Sequence, residues 1–190
     1  MRRRLQLAAL ELYCERGYEE TTAAQIAARA GVTERTFFRH FPDKREVLFD
    51  GDAAFIEALT SAVRNAPTAL PPWNTLFLAF NAVKQIFVEN RAFSEPRQRV
   101  IASSPALQER AAAKTRSLVT ALASTLCERG VSARHANLVA QIGMATLSHA
   151  VATWFDDPSS DLGEHIVRSF HEVRDLSSSR TKLTSGKRNA

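Results

Sequence analysis

The chain has 190 residues, 45% of them hydrophobic and 24% charged, with a net charge of +5. That length suits one large domain or a small domain joined to a larger one, and the apolar share is enough for a packed core. No apolar run nears the roughly 18–20 residues that span a bilayer and no secretory apolar region follows the N-terminal arginines, so a cytoplasmic protein is expected.

The first helix is expected from about Arg2 to Arg16, with Leu5, Ala8 and Leu12 as its apolar stripe and Gly17 as its stop. A shorter helix should run from Thr22 to about Arg29 and end at Gly31, and Thr33 is placed to cap a third that reaches about His40. Pro42 biases Phe41 away from helical angles. Asp43 can then cap a fourth helix carrying Val47, Leu48, Phe55, Ile56 and Leu59, which links onward over about 43–65.

After the proline-bearing stretch "APTALPPW", helices are expected at about Trp73–Asn90 and Glu95–Ser103. Another should run from Pro105, a suitable first-turn residue, to just before Gly130. The last two are expected at about Ala133–Phe155 and Asp161–Leu176. The reading is an all-α fold of about nine helices, with a first domain over 1–48, a second over 49–176, and a disordered basic tail over 177–190.

Charge is concentrated at the two ends. From Ser177 onward there are four basic residues (Arg180, Lys182, Lys187, Arg188) and no acid, and Arg2, Arg3 and Arg4 stand at the other end. Without these segments 18 basic residues face 20 acidic ones, so the body is near neutral and the placement of charge carries more than its sum. Cys14 and Cys127 are far apart with no CxxC partner and read as small buried hydrophobes.

Thr22 to His40 spells helix, tight turn, helix. Ile26, Ala30, Val32 and Phe37 can meet in one core, Ala27 allows close helix packing, and Gly31 supplies the turn. This is the logic of a helix-turn-helix, whose second helix enters the major groove of DNA. On that helix Phe37 and Phe41 project to one side, while Arg35, Thr36 and Arg39 project to the other, with Phe38 and His40 flanking. Arg35 and Arg39, four apart, form a basic ridge able to reach guanine O6/N7 or phosphate.

Residues 4–49 resemble the DNA-binding domain of the TetR family of transcriptional regulators, through "AALELY", "RGY", "TT", "IAARAGV", "FFRHF" and "PDK". The resemblance implies a homodimer on a pseudo-palindromic operator, with an effector held in the all-helical remainder releasing or altering DNA binding. It further implies that Thr22 contacts phosphate and that Thr33, Glu34, Arg35 and Thr36 lie at the reading end of the recognition helix. His40 and Lys44 would hold phosphate, Lys44 from the start of the fourth helix, and Arg2–Arg4 would act as an arm. Where the family commonly has a tyrosine that reaches phosphate this chain has Phe38, which leaves only an apolar contact to sugar or a thymine methyl.

In such a domain the fifth, seventh and eighth helices usually enclose the effector. Phe77, Phe80, Phe87, Leu118, Leu122, Met144 and Leu147 are candidates for its apolar lining, and Asn81, Lys84, Gln141 and His149 for polar contacts. That balance points to a largely hydrophobic effector. "RQRVIASSPALQERAAAK" resembles the corresponding stretch of the mycofactocin-type actinobacterial subgroup, which brings acyl-CoA among the candidates. The last two helices would form a four-helix dimer interface through Ala145, Val151, Phe155, Ile166, Phe170 and Val173, with Gly143 allowing close approach.

Other classes fare worse. The five histidines form no HExxH pair, His149 lacks an evident nucleophile, and no glycine-rich phosphate loop occurs, so neither an enzyme nor a cofactor is expected. An architectural DNA-binding protein using its basic ends, and an orphan regulator with a filled pocket, are the remaining alternatives.

Overall fold

The computed structural model describes residues 1–157 and 159–178. Ser177 and Ser178 close the last helix, and the rest of the expected tail lies outside the described residues. Among the described residues every regular element is helical: α1 (Arg2–Arg16), α2 (Ala23–Arg29), α3 (Glu34–His40), a 3₁₀ turn (Glu46–Phe49), α4 (Asp52–Asn65), α5 (Pro72–Glu89), α6 (Arg91–Ser103), α7 (Pro105–Glu128), α8 (Ala133–Asp156) and α9 (Leu162–Ser178). The all-α expectation holds, and α6 starts four residues earlier than Glu95.

One element differs in kind. The continuous helix expected over 43–65 is broken into the 3₁₀ turn and α4. Gly51 sits at φ 95°, in the left-handed region, which an L side chain occupies only at a cost and which cannot lie inside a right-handed helix. Asp43 does cap, but it caps the short turn: its carboxylate accepts from the backbone N–H of Arg45 at 2.8 Å and of Glu46 at 3.0 Å.

Two hydrophobic cores organise the chain. The first gathers Leu5, Leu12, Ile26, Phe37, Phe41 and Leu48. It also takes in Phe93 and Val100 from α6 and Leu107 from the head of α7. Burying a side chain such as Phe37 stabilises the fold by about 1.5–3 kcal/mol. The second core lies between α4, α5, α7, α8 and α9 and includes Leu59, Leu76, Phe80, Leu122, Leu126, Leu147, Ile166 and Phe170. A cut after residue 48 therefore severs the first core from α6 and α7, which supply part of its wall.

Some details depart from the sequence reading. Cys14 and Cys127 are exposed rather than buried. A Cβ added at Gly143 would lie 2.5 Å from Leu76 Cδ1, so the close approach expected at a dimer contact is made to α5 of the same protomer. By length and composition α8 is apolar enough to cross a membrane, contrary to the first reading, and 50% of that stretch is buried inside the bundle. At its far end the buried His165 ties α8 to α9, hydrogen-bonded to Thr153 at 3.1 Å and to Ser160 at 2.8 Å.

Candidate DNA-reading surface and ligand cavity

The reading head is set by two caps and one turn. The Thr22 side chain accepts from the Gln25 N–H at 3.2 Å while Gln25 Oε1 accepts from the Thr22 N–H at 2.9 Å, a reciprocal box that leaves the hydroxyl proton of Thr22 to donate outward. Thr33 caps α3 by accepting from the Thr36 N–H at 3.3 Å. Between the helices Gly31 takes φ 65°, and the Val32 N–H returns to the Ala27 carbonyl at 2.9 Å.

On α3 the aromatic run divides as the helical spacing requires. Phe37 and Phe41 are buried, and Phe38 is 50% exposed with its ring edge-on to Phe37 at 5.3 Å. Thr33, Glu34, Arg35 and Arg39 are exposed and Thr36 is half-buried, so the expected ridge stands clear of the core.

Three other expected contacts sit differently. Lys44 is not at the start of α4; its ammonium donates to the carbonyls of Tyr18 (2.8 Å), Glu19 (3.2 Å) and Thr21 (3.0 Å) and lies over the Tyr18 ring. It pegs the loop between α1 and α2, and a phosphate would have to draw it from three acceptors. His40 is half-buried and its Nε2 is enclosed with no hydrogen-bond partner, so that atom is not offered to a backbone outside. Arg2, Arg3 and Arg4 form the first turn of α1 rather than an arm. Arg2 pairs with Asp50 at 2.7 Å, Arg3 stacks on Phe93 and Arg4 donates to the Ala30 carbonyl at 2.6 Å.

A cavity of about 370 Å³ opens between α4, α5, α6, α7 and α8, floored by the 3₁₀ turn. Of the expected lining it contains Phe87, Leu118, Met144 and Leu147, together with Phe49, Phe55 and Val151. Phe80 and Leu122 are fully buried in the second core, and Phe77 packs against Phe170 at 5.3 Å between α5 and α9. The expected polar contacts also lie elsewhere. Asn81 donates to the Phe77 carbonyl, Lys84 pairs with Asp161 at 3.0 Å, Gln141 bonds Asn137, and His149 faces Glu172 at 3.7 Å on the outer side of α8.

The two cations that line the cavity, Arg97 and Lys114, and Arg110 beside it were absent from the sequence reading. Arg97 donates to the Leu48 carbonyl at 2.5 Å, Lys114 donates to the Phe49 carbonyl, and Arg110 grips Glu46 through two bonds at 2.5 and 2.8 Å. All three cations surround the Phe49 ring, at 4.9, 4.5 and 5.6 Å from its centroid. Burial lowers Arg97 to about 10 and Lys114 to about 8, while the bonds from Arg110 hold the Glu46 carboxyl below its ordinary range. The available signal was the i, i+4 spacing of Arg110 and Lys114 on the same α7 face as Leu107 and Leu118.

The outer faces of α8 and α9 present Leu138 (55% exposed), Ile142 and Val167, with Ala145 exposed beside them. Of the expected interface residues, Val173 is half-buried, Phe155 stacks on Trp154, and Val151 turns into the cavity. Ile166 and Phe170 are consumed by the second core and cannot meet a partner without unpacking it.

Comparison with known proteins agrees with this architecture. Residues 7–50 match the model for bacterial regulatory proteins of the tetR family, and residues 70–177 match that for the MftR C-terminal domain. The HTH-type transcriptional regulator TcmR of Streptomyces glaucescens is 44% identical over 75 residues, which is 40% of this chain and 33% of that relative's length. The match thus spans about a third of the curated relative.

Three solved structures share the fold. FadR of Thermus thermophilus, in complex with lauroyl-CoA, has a TM-score of 0.55 at 22% identity, covering 98% of this chain and 100% of that one. FadR of Bacillus subtilis, in complex with stearoyl-CoA, gives 0.63 at 20% identity over 89% and 95%. SmeT of Stenotrophomonas maltophilia, in complex with triclosan, gives 0.64 at 18% identity over 92% and 90%. The chain belongs to the tetR family of bacterial regulatory proteins, with a helix-turn-helix head and an MftR-type helical C-terminal domain.

Proposed function

We propose that the protein is a cytoplasmic, non-enzymatic transcriptional regulator that binds a pseudo-palindromic operator as a homodimer and acts as a ligand-responsive repressor. The observation that carries this reading is α3. Its aromatic pair Phe37 and Phe41 anchors the helix in the core, and Arg35 and Arg39 stand exposed on the opposite face. A helix held in this way offers a rigid, two-pronged donor ridge of the kind that pairs with guanine edges in the major groove. Thr22, Thr33, Glu34, Thr36 and Phe38 frame the contact. A dimer through the exposed apolar strip of α8 and α9 would set two such helices at half-site spacing.

The effector is a small molecule with a large apolar part, held in the cavity against Phe55, Phe87, Leu118, Met144 and Leu147. Fold relatives solved with lauroyl-CoA, stearoyl-CoA and triclosan support that class, and an acyl-CoA is the first ligand to try. The test of the DNA reading is selection of sites from random duplex DNA at near-physiological salt. An enriched inverted repeat is expected. Retention without enrichment, falling steeply with salt, would replace this reading with nonspecific binding through the basic ends.

A further inference from the structure

A second chamber of about 480 Å³ lies behind the cavity, between α1, the residues around Gly51, the end of α5 and α6. Among the described residues the two spaces share Phe55, Phe87 and Arg97, so these three side chains form the wall between them. Phe55 and Phe87 meet edge to face with ring centroids 5.4 Å apart, and Arg97 is tied back to the Leu48 carbonyl at 2.5 Å. Both rings are half-buried and rest against the second core, which holds them across the gap. The chambers differ in chemistry. Leu118, Met144, Leu147 and Val151 face the inner one, whereas Arg3, Gln6, Asp50, Asn90 and Ser94 border the outer one beside Ile86 and Phe93.

We propose that the Phe55–Phe87 ring pair is the specificity-determining partition of the site: it closes off the outer chamber and so limits the effector to a short or medium apolar chain. The inference rests on the reading of the inner cavity as the effector site. At about 370 Å³ that cavity stands near the lower end of the range for ligand pockets, about 300–1,000 Å³. The outer chamber is the larger of the two, so removing the wall more than doubles the room. A chain longer than the inner chamber has to push Phe87 off the second core, and the packing lost there offsets the gain from its additional carbons. Two aromatic side chains therefore decide between classes of ligand that the rest of the apolar lining would accept alike.

The experiment is a length series on the full-length protein: the straight-chain carboxylates from hexanoate to myristate, below their micelle concentrations, with binding followed by calorimetry. Each methylene that enters the cavity tightens binding about fourfold. In the unaltered protein this rise is expected to stop within the series, and in Phe87→Ala to continue for several carbons more. The lost ring leaves space of its own, so Ser94→Trp is added to Phe87→Ala to fill the outer chamber, which should bring the stop back toward its original length. The partition is overturned by the same stop in both proteins, by an unbroken rise to myristate in the unaltered one, or by a longer reach that Ser94→Trp leaves intact. Each of those outcomes keeps the cavity as a ligand site. No binding at any length overturns the cavity reading and the partition with it. If Phe87→Ala does not fold, Phe55→Ala opens the same wall and takes its place.

Discussion

In α3 Phe37 goes inward, with Phe41 just beyond it, and Arg35 and Arg39 go outward; around Phe49 the cations go inward and an aromatic ring is their platform. The outward arginines keep full hydration and are available to a partner. The inward ones have lost much of their water, and carbonyls, a ring face and the Glu46 carboxylate are among the groups that compensate them. The contrast teaches how to tell an exposed reading surface from an internal clasp in the same small protein: the first is held by its neighbours' packing, the second by its own polar bonds.

Breaking the anchor of the reading head should have the largest effect. Phe37→Ala removes a fully buried ring and is expected to cost about 3–5 kcal/mol, read by urea unfolding; a loss under 1 kcal/mol would mean α3 is not seated through that side chain. On the outward face, Arg35→Ala should leave stability unchanged and lower discrimination between selected and random DNA by about 1–3 kcal/mol per half-site in titrations. An equal fall on both DNAs would make Arg35 a phosphate contact.

Lys44 tests which side of the comparison it belongs to. With three carbonyl acceptors it resembles the inward group, so Lys44→Ala should lower stability by about 1–3 kcal/mol and leave the salt slope of DNA binding where it was. A slope smaller by about one would restore the phosphate role.

The inward group also predicts a pH dependence. Lys114 has its folded pKa lowered from 10.5 to about 8, so between those values the folded state binds fewer protons than the unfolded one. Stability should therefore rise as pH climbs from about 8 toward 10.5, and Lys114→Met should remove that rise in a pH series of unfolding curves. Below pH 8 both states carry the proton and Lys114 adds no slope. The smallest effect is expected at Phe38→Tyr, which adds a hydroxyl to an exposed ring and should tighten all DNA alike by about 0.5–1.5 kcal/mol. No change would put the ring away from the backbone.

The reading head was legible because its information is local. Caps at Thr22 and Thr33, the turn at Gly31 and the three-and-four spacing of Phe37, Phe38 and Phe41 all act within a few residues, and the helix boundaries there agree with the structure. The cavity was legible only in part. Phe87, Leu118, Met144 and Leu147 have the same periodicity as Phe80 and Leu122, and nothing in a helical stripe says which members meet a void and which meet each other. Ile166 and Phe170 failed as interface residues for the same reason: an apolar position on a terminal helix can face its own bundle or a second one.

By itself the sequence determined the helices, the order in which they come and the outward ridge of α3, since each follows from propensity, capping and period along one stretch of chain. Gly51 stands in the sequence too, but that it would divide the linking helix depended on where Phe49 and α4 had to pack. The pairing of Arg97, Arg110 and Lys114 with the carbonyls and carboxylate of the 46–49 turn joins residues 49 to 65 positions apart. Only the tertiary structure decided it, because a buried cation takes whichever acceptors the folded chain brings within reach.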